Sequence, residues 1–509
     1  MKIYNFKRII LYLLAFLIPS VLVLFFCAIR KISPNELYIP SSYNNDCVFY
    51  YKMVDAICNH GRILGYFGYN ESKALYGGYG VWSPLTIFFW ILWGAVFGWN
   101  YYSGIICNIV ILSFGFLSFV SLSEIRLKNV VLIYASLLFF PAFQINALNL
   151  LPESSLLFLL LVYFGMIFKI NNNGFRFGYF LSIIIIIIFL SFVRPYFLSL
   201  FIFPFCLSVK NKQKISAFCV VILSLFSFLG FLLVSHFFTS PYFTPSFNYD
   251  ILGYLFRLDF RNFIGYLLYL FKSMFTSFII YIKNAFDYGL TVGTIIFSVF
   301  IIIVIMLVYC LINRNFKHKN IYYLYILFCL FQLIAETIFA QRANEACRHF
   351  WCYSIIGIIL ICTSEFINII KIIPLIFNII FCARGAFYPT DYDVPLKNTN
   401  VIENVTFWES IFDNNDILCD TDGFSNTVIW VIGDYIDDVL YVTEYSELYS
   451  LPSGVGVSCC YSDYVADNIE TLKSRYIITI PDGIVSDLCI DNGYYAIASN
   501  DYAVMYKRY

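Results

Sequence analysis

The sequence predicts an α-helical polytopic membrane protein with about eleven transmembrane helices, followed by a small extracytoplasmic C-terminal α/β domain. Two observations predict this fold class. Hydrophobic residues make up 61% of the 509-residue chain and charged residues only 13%, whereas soluble domains carry about 25% charged residues. Residues 1–388 hold 27 Lys and Arg against 12 Asp and Glu, and residues 389–509 hold 5 against 20. The chain therefore divides into a basic membrane domain, 1–388, and an acidic soluble domain, 389–509.

Two rules predict which apolar segments cross the membrane and in which direction: a span needs about twenty apolar residues, and short cytoplasmic loops favour Lys and Arg. Together they predict a cytoplasmic N-terminus and an extracytoplasmic tail. The predicted spans are 9–29, 101–122, 130–148, 155–169, 179–192, 196–209, 215–236, 290–312, 321–340, 350–366 and 372–388. The apolar segments 85–98 and 262–282 predict interfacial helices, because the first is short and the second carries Lys272 at its middle. The first span is too long for a signal peptide and lacks a cleavage site, so it predicts a retained signal anchor.

The tail alternates turn signals with short β-branched or aromatic runs, a pattern typical of strands. Runs at 428–432, 439–443, 476–480 and 494–498 predict strands, and 463–474 predicts a helix. About 120 residues suffice for one small domain. The tail has no basic stripe, which argues against a nucleic-acid partner. Most of the 16 cysteines lie in apolar spans, and no Cys-x-x-Cys pair or His-rich cluster predicts a zinc site.

Residues 30–84 form the predicted first extracytoplasmic loop, which contains the candidate site. Most connections are only a few residues long, yet the stretch 44–85 of this loop carries three acids, Asp46, Asp55 and Glu71, among aromatic and glycine residues. Such a loop suggests a site and not a simple tether.

Further charged residues follow at the predicted outer ends of the spans, where charge is costly and indicates function. Carboxylates come early in the chain and could act as a general base or bind a divalent cation through oxygen. Arginines come later, and their forked donors suit phosphate. Transfer from a phosphate-linked donor needs both, because the acceptor loses a proton and the leaving phosphate gains charge. The candidates are Asp46, Asp55 and Glu153 as catalytic carboxylates and Arg194, Arg342 and Arg348 as donor-phosphate ligands.

The order of these residues resembles that of GT-C-type membrane glycosyltransferases, in particular the protein O-mannosyltransferase and aminoarabinose transferase branch. That branch has Asp-Glu-x-x-Tyr in its first outer loop and then His-Pro-Pro-Leu. The matching stretches here are Asp46-Cys47-Val48-Phe49-Tyr50 and Trp82-Ser83-Pro84-Leu85. Cys47 replaces the second acid and Trp82 replaces the histidine.

The resemblance covers roughly residues 1–370, with Glu153 at the position of a second outer-loop acid and 348–351 as a late Arg-aromatic turn. It implies a transferase that uses a polyprenyl-phosphate sugar and attacks with inversion at the anomeric carbon. The expected partners are that donor, membrane lipid and a glycan or lipid-linked acceptor of the cell envelope. The expected location is the outer face of a bacterial inner membrane. No metal ligands are assigned, and a divalent cation stays open as a cofactor.

Each candidate carboxylate also has a plainer interpretation. Asp46 could be a loop acid near the headgroups. Asp55 lies nine residues on and faces away from Asp46 if both share a helix, which favours a solvated position. Glu153 follows Pro152 and could stabilise a helix N-terminus.

The arginines have plainer interpretations too. Arg194 precedes Pro195 and could snorkel to the membrane interface. Arg342 and Arg348 could pair with Glu345 inside their own loop. His349 is a weaker candidate than either.

Other functions stay open from the sequence. A polysaccharide polymerase would depend on outer-loop arginines and not on Asp46. A transporter or flippase would show paired halves with interrupted helices and charges at mid-membrane, whereas the charges here lie at the outer ends. A structural protein displaying the acidic tail would leave the long first loop unexplained.

Overall fold

The chain is mostly helical and ends in a small domain that contains β-strands. A computed structural model describes residues 2–31, 45–61, 70–71, 83–238, 250–288, 292–313, 318–340, 346–363, 368–383, 401–412, 427–441, 443, 445–452 and 455–508. Within these ranges, five helices are long and apolar enough to cross a membrane, or six if one bent pair forms a single span. The five are Phe6–Arg30, Ser103–Ser123, Glu153–Asn173, Lys214–Phe238 and Lys319–Ile338.

The helices before residue 384 are labelled in chain order. They are α1 (Lys2–Arg30), α2 (Asn45–His60), α3 (Phe88–Phe97), α4 (Ser103–Ser123), α5 (Leu127–Leu138), α6 (Pro141–Ala147), α7 (Glu153–Asn173), α8 (Phe177–Val193), α9 (Ile202–Lys210), α10 (Lys214–Phe238), α11 (Asp250–Phe256), α12 (Phe260–Tyr288), α13 (Val292–Ile312), α14 (Lys319–Ala335), α15 (Ala346–Thr363) and α16 (Asn368–Phe377). Short 3₁₀ turns span Pro84–Ile87 and Pro195–Phe201, and π turns span Glu336–Ala340 and Asn378–Cys382.

The chain divides into two compact units, and the first is a helical bundle formed by residues 1–35, 105–233 and 245–394. Helix α15 packs against α5, α7 and α13. Its residues 349–362 are all buried, including the large side chains of Trp351 and Tyr353. A helix that is apolar on every face must be surrounded by others, and α15 forms the centre of this bundle.

Two prolines break the helices of the bundle. The sequence predicts one span over 130–148, but the structure has α5 and α6 at 82° to each other. The break lies at Pro141, because proline lacks an N–H and the residue before it avoids the α conformation. The same effect acts at Pro195: Arg194 has φ −146° and ψ 120°, and α8 ends before it. The sequence anticipated this second break and missed the first.

The second unit comprises residues 36–104, 234–244 and 395–509. Its strands are β1 (Val428–Ile432), β2 (Asp434–Ile436), β3 (Val439–Tyr441), β4 (Val457–Tyr461), β5 (Tyr476–Thr479), β6 (Tyr495–Ser499) and β7 (Val504–Lys507). Five form a sheet of order β4-β1-β5-β7-β6, and β2 and β3 form a separate hairpin. Strand β1 is parallel to β4 and β5, and β7 is antiparallel to β5 and β6.

The helices of this C-terminal region are Val401–Glu409, Tyr445–Ser450, Ser462–Asn468 and Ile484–Asp491. The sheet core contains Ile429, Val431 and Ile477, all fully buried. The predicted strands at 428–432, 439–443, 476–480 and 494–498 correspond to β1, β3, β5 and β6. The predicted helix at 463–474 is shorter, Ser462–Asn468, and strands β2, β4 and β7 were not anticipated.

The first loop is bonded to this sheet inside the second unit. The backbone N–H of Asn70 donates to the carbonyl of Cys459 (3.0 Å), in the edge strand β4. The carboxylate of Glu71 accepts the backbone N–H groups of Lys473 (2.8 Å) and Ser474 (3.0 Å), just before β5. Asn70 and Glu71 both have positive φ, 50° and 57°, a conformation that carries strain for Glu. These hydrogen bonds hold a strained turn against the end of the sheet.

Candidate functional site

A buried ion pair joins two of the predicted site residues. Arg194 Nη2 lies 2.5 Å from Glu153 Oε1, and each side chain is 1% exposed. Glu153 is the first residue of α7, directly after Pro152. Arg194 leaves the helical path at the end of α8 because it precedes a proline. The two helix boundaries therefore bring a carboxylate and a guanidinium together inside the bundle.

Tyr196 is a further partner of this arginine. Arg194 Nη1 donates a hydrogen bond of 2.8 Å to the Tyr196 hydroxyl. Glu153 and Tyr196 thus fix the plane of the guanidinium from two sides. Arginine has five N–H donors in a planar fork, so an anionic ligand could bind to the same group while Glu153 offsets its charge. The plainer interpretation of Arg194, a side chain that snorkels to the interface, does not fit its burial.

A second buried pair lies in the same bundle, between α14 and α15. His349 Nδ1 donates to Glu336 Oε1 at 2.5 Å, and both side chains are 3% exposed. Gln332 Nε2 donates to the same oxygen at 2.6 Å. The Tyr353 hydroxyl donates to Gln332 Oε1 at 2.9 Å. Glu336 begins the π turn that follows α14, and such turns are frequent at functional sites.

The two pairs are neighbours. The Tyr196 and His349 rings have centroids 6.3 Å apart. Cys352, one turn along α15 from His349, donates from its thiol to the Glu153 carbonyl at 3.3 Å. We call this group the bundle cluster. It consists of Glu153, Arg194, Tyr196, Gln332, Glu336, His349, Cys352 and Tyr353.

Sequence reasoning missed Glu336 and Gln332. Glu336 was nevertheless detectable, because it is a carboxylate inside the predicted apolar span 321–340, where an ionisable residue indicates function. Gln332, four residues before Glu336, could not be identified in this way, because an uncharged amide on a helix has many structural uses.

Asp55 lies in the second unit, on α2, and differs from expectation. The sequence favours a solvated position, yet Asp55 is only 2% exposed. Its Oδ1 accepts a hydrogen bond of 2.7 Å from Asn59 Nδ2. Residues 47–56 of α2 are buried on all faces, so no solvated face remains for this carboxylate.

Lys52, three residues before Asp55, is buried as well. Its Nζ donates to the Leu451 carbonyl at 2.6 Å. Burial lowers the pKa of the Lys52 ammonium to about 8, and the negative charge of Asp55 acts in the opposite direction. Helix α2 therefore carries a buried ammonium and a buried carboxylate one helical turn apart. The sequence did not reveal that both are buried.

The remaining predicted site residues cannot be placed from their side chains. Arg342 lies outside the described residues. Asp46 and Arg348 belong to α2 and α15, but their side chains lie outside the described part of the chain, as does Trp82 of the second motif. Their predicted roles stay predictions. Among the described residues, no group of three or more His, Cys, Asp or Glu side chains could hold a metal ion.

Comparison with known proteins adds structural similarities. No family model and no curated protein sequence matches the chain. Several solved structures do. An oligosaccharyltransferase of Archaeoglobus fulgidus, solved with Zn and sulfate, matches with 12% identity and a TM-score of 0.49, over 91% of this chain and 67% of that one.

Two further structures extend this finding. ArnT of Cupriavidus metallidurans, bound to undecaprenyl phosphate, matches with 10% identity and a TM-score of 0.43 over 96% of this chain and 97% of its own. The oligosaccharyltransferase AglB of A. fulgidus, in complex with an inhibitory peptide and a dolichol-phosphate, matches with 12% identity and a TM-score of 0.47, over 91% and 69%. At 10–12% identity, the likeness is distant.

Proposed function

We propose that this protein is a glycosyltransferase that moves a sugar from a polyprenyl-phosphate donor to a glycan or glycolipid of the cell envelope. The observation that carries the proposal is the bundle cluster. Charged side chains inside an apolar bundle are costly and indicate a function. The cluster provides a fixed guanidinium in apolar surroundings, which is the group that suits a lipid-linked phosphate.

Each residue then has a stated part in the reaction. Arg194 binds the donor phosphate and stabilises the charge that it gains on leaving, and Arg342 and Arg348 are proposed as further phosphate ligands. Glu153 holds Arg194 in place and offsets its charge while the site is empty. Asp46 takes the proton of the acceptor hydroxyl. Asp55, which is buried and bonded to Asn59, supports α2 and with it the position of Asp46.

The acceptor oxygen attacks the anomeric carbon from the side opposite the phosphate, so the product has inverted configuration. A divalent cation could assist at the phosphate. One structurally similar protein has been solved with Zn and sulfate, but no described side chains of this chain can be named as a ligand set.

The reaction is proposed to occur on the outer face of a bacterial inner membrane, with the N-terminus in the cytoplasm. The distribution of Lys and Arg over the short loops supports this orientation. The shorter apolar helices, such as Phe177–Val193 and His349–Thr363, would complete about eleven crossings. The acidic tail then lies in the same compartment as the acceptor and is proposed to bind it.

The test is transfer from undecaprenyl-phosphate-linked radiolabelled sugars in membranes that contain the full chain. Wild type should transfer label to an endogenous glycan or lipid. Asp46→Asn and Arg194→Gln should lose transfer at matched expression. Lys169→Gln is the matched control for Arg194→Gln, because Lys169 forms a pair of the same length with Glu124, at 2.5 Å, that is exposed to solvent. If wild type transfers no label from any lipid-phosphate sugar, the proposed function is wrong. If Asp46→Asn transfers normally, Asp46 is only a loop acid.

A further inference from the structure

The proposed reaction does not use the pair formed by Glu336 and His349, and this pair has an arrangement of its own. The imidazole donates from Nδ1 to Glu336 Oε1 at 2.5 Å. Glu336 is held in turn by Gln332, and Gln332 by the Tyr353 hydroxyl. Because Nδ1 is committed to the carboxylate, Nε2 is the nitrogen through which His349 can exchange a proton with a substrate.

A carboxylate in this position does two things for a histidine. It fixes the orientation of the ring, and it stabilises the positive charge of the imidazolium. Both side chains are 3% exposed, so solvent screens their attraction little. The pair is therefore suited to keep a proton on His349 inside an apolar bundle.

The position of the pair relative to Arg194 indicates which group could accept the proton of His349. The His349 ring lies 6.3 Å from the Tyr196 ring, and Tyr196 accepts a hydrogen bond from Arg194. A phosphate bound to Arg194 would therefore lie beside the imidazole. The titratable and charged groups that face His349 from the described elements are Glu153 on α7, Arg194 and Tyr196 after α8, Glu336 after α14, and Cys352 and Tyr353 on α15.

We propose that His349 is the general acid for the departing phosphate and that Glu336 is its positioning residue. This inference rests on the proposed function. The acceptor oxygen forms a bond to the anomeric carbon while the bond from that carbon to the phosphate oxygen breaks. The electron pair of that bond goes to the phosphate oxygen, and the proton on His349 Nε2 transfers to it. Asp46 takes the acceptor proton, so His349 ends neutral and Asp46 ends protonated, and exchange with water restores both.

The departing phosphate needs a proton because of the charge that it gains. A phosphate that leaves in an apolar site gains a second negative charge that water cannot solvate. Arg194 offsets part of this charge, but its own charge is already shared with Glu153. A proton from His349 removes the excess. Positioned acids of this kind contribute about 10²–10⁴-fold to rate.

The experiment measures initial transfer rates of the purified full chain in lipid nanodiscs between pH 5.5 and 9, with the undecaprenyl-phosphate sugar that wild type accepts. The variants are His349→Gln and Glu336→Gln. The control is His318→Gln, because His318 is also a buried histidine with a hydrogen bond at Nδ1, to Asn171 at 2.8 Å, and lies outside the bundle cluster. Donor KM and kcat are measured separately for each protein.

We expect wild type to lose rate at alkaline pH, where His349 loses its proton. His349→Gln should lower kcat by about 10²-fold or more, keep the donor KM, and lack the alkaline loss. Glu336→Gln should retain part of the rate and move the alkaline loss to lower pH, since a neutral amide stabilises the imidazolium less. His318→Gln should resemble wild type in both respects.

Three results would overturn the assignment. If folded His349→Gln keeps the kcat of wild type, or if its remaining activity shows the alkaline loss unchanged, the pair is structural and His349 is not the acid. If wild type itself transfers no sugar from any lipid-phosphate donor, the proposed function fails, and the role of His349 fails with it. An active wild type with an unaffected His349→Gln separates the first failure from the second.

Discussion

Arg194 and Glu153 are 41 positions apart in the chain and meet through Nη2 and Oε1 at 2.5 Å, with both side chains almost fully removed from solvent. Two helix boundaries, each marked by a proline, make this contact possible. The proposed function places the donor phosphate at this pair. The same pair has consequences for stability that can be measured apart from activity.

Arg194→Gln should destabilise the protein by about 3–5 kcal/mol, because it leaves the Glu153 carboxylate buried without its cation. Lys169→Gln should cost less than about 1 kcal/mol, since its pair with Glu124 is exposed to solvent. Urea or thermal unfolding of the purified chain in one detergent compares the two. Equal losses would mean that burial does not set the strength of the Arg194 pair.

The double variant Glu153→Leu/Arg194→Met separates stability from function. Replacing both members of a buried pair by apolar residues of similar volume is often neutral for stability. We therefore expect the double variant to unfold closer to wild type than Arg194→Gln does, and to transfer no sugar. A double variant that regains transfer would exclude the guanidinium from phosphate binding.

Glu71→Ala should loosen the first loop from the C-terminal sheet. It removes the acceptor of two backbone N–H groups, at Lys473 and Ser474, and an unmade hydrogen bond of a partly buried group costs about 1–3 kcal/mol. Limited proteolysis with trypsin, followed by mass spectrometry, should show faster cleavage after Lys473 and Arg475, beside the released N–H groups. Glu71→Gln keeps an acceptor oxygen and should retain most of the protection.

The control for this change is Glu470→Ala, which removes an exposed acid of the same domain. Cleavage that rises equally in both variants would point to a general effect of lost negative charge. In that case the hydrogen bonds of Glu71 would not explain the protection.

Lys52→Met should flatten the pH dependence of stability between about pH 8 and 10.5. The pKa of Lys52 is lowered to about 8 by burial, from an ordinary value of 10.5. The unfolded chain therefore binds the proton more tightly than the folded one across this window. This difference opposes folding in full below pH 8, by an amount on the order of 3 kcal/mol, and the opposition declines as pH rises.

Thermal unfolding at pH 7, 8, 9 and 10 tests this sign. The difference in Tm between Lys52→Met and wild type should favour the variant at pH 7 and shrink toward pH 10. Lys473→Met, at an exposed lysine of the same unit, should show no such trend. A difference that grows with pH would mean that the folded state holds the Lys52 proton more tightly than the unfolded chain does.

Much of the helical part of the fold could be predicted from the sequence, because helices and their breaks depend mainly on neighbouring residues. Apolar runs of sufficient length predict helices, and Arg194-Pro195 predicts a break that the structure confirms. The break at Pro141 was missed because the apolar run continues through it without a charge. Strands β4 and β7 each contain only one β-branched residue, and their pairing depends on β1 and β5, so no local pattern identified them.

In the candidate site, too, individual residues could be predicted from the sequence and their contacts could not. The sequence singled out Glu153 and Arg194 as separate charges, because each is costly near the membrane. It could not show that they meet, since that contact depends on the packing of α7 against α8. Asp55 was expected in water because a polar loop helix usually has one solvated side. Helix α2 instead contacts residues distant in the chain: Lys52, one turn from Asp55, donates to the carbonyl of Leu451. No local pattern predicts such contacts.

The bonds between the first loop and the C-terminal sheet also constrain how the protein is made. Glu71 donates its backbone N–H to Ser458 Oγ, a residue 387 positions later. At a synthesis rate of about 5–20 residues per second, roughly 20–80 seconds separate the two in the nascent chain. During that time, the turn at Asn70 and Glu71 has no sheet to stabilise its positive φ angles. The turn at Asn70 and Glu71 therefore gains these hydrogen bonds only after the ribosome has nearly finished, and a chain truncated before strand β4 would lack them.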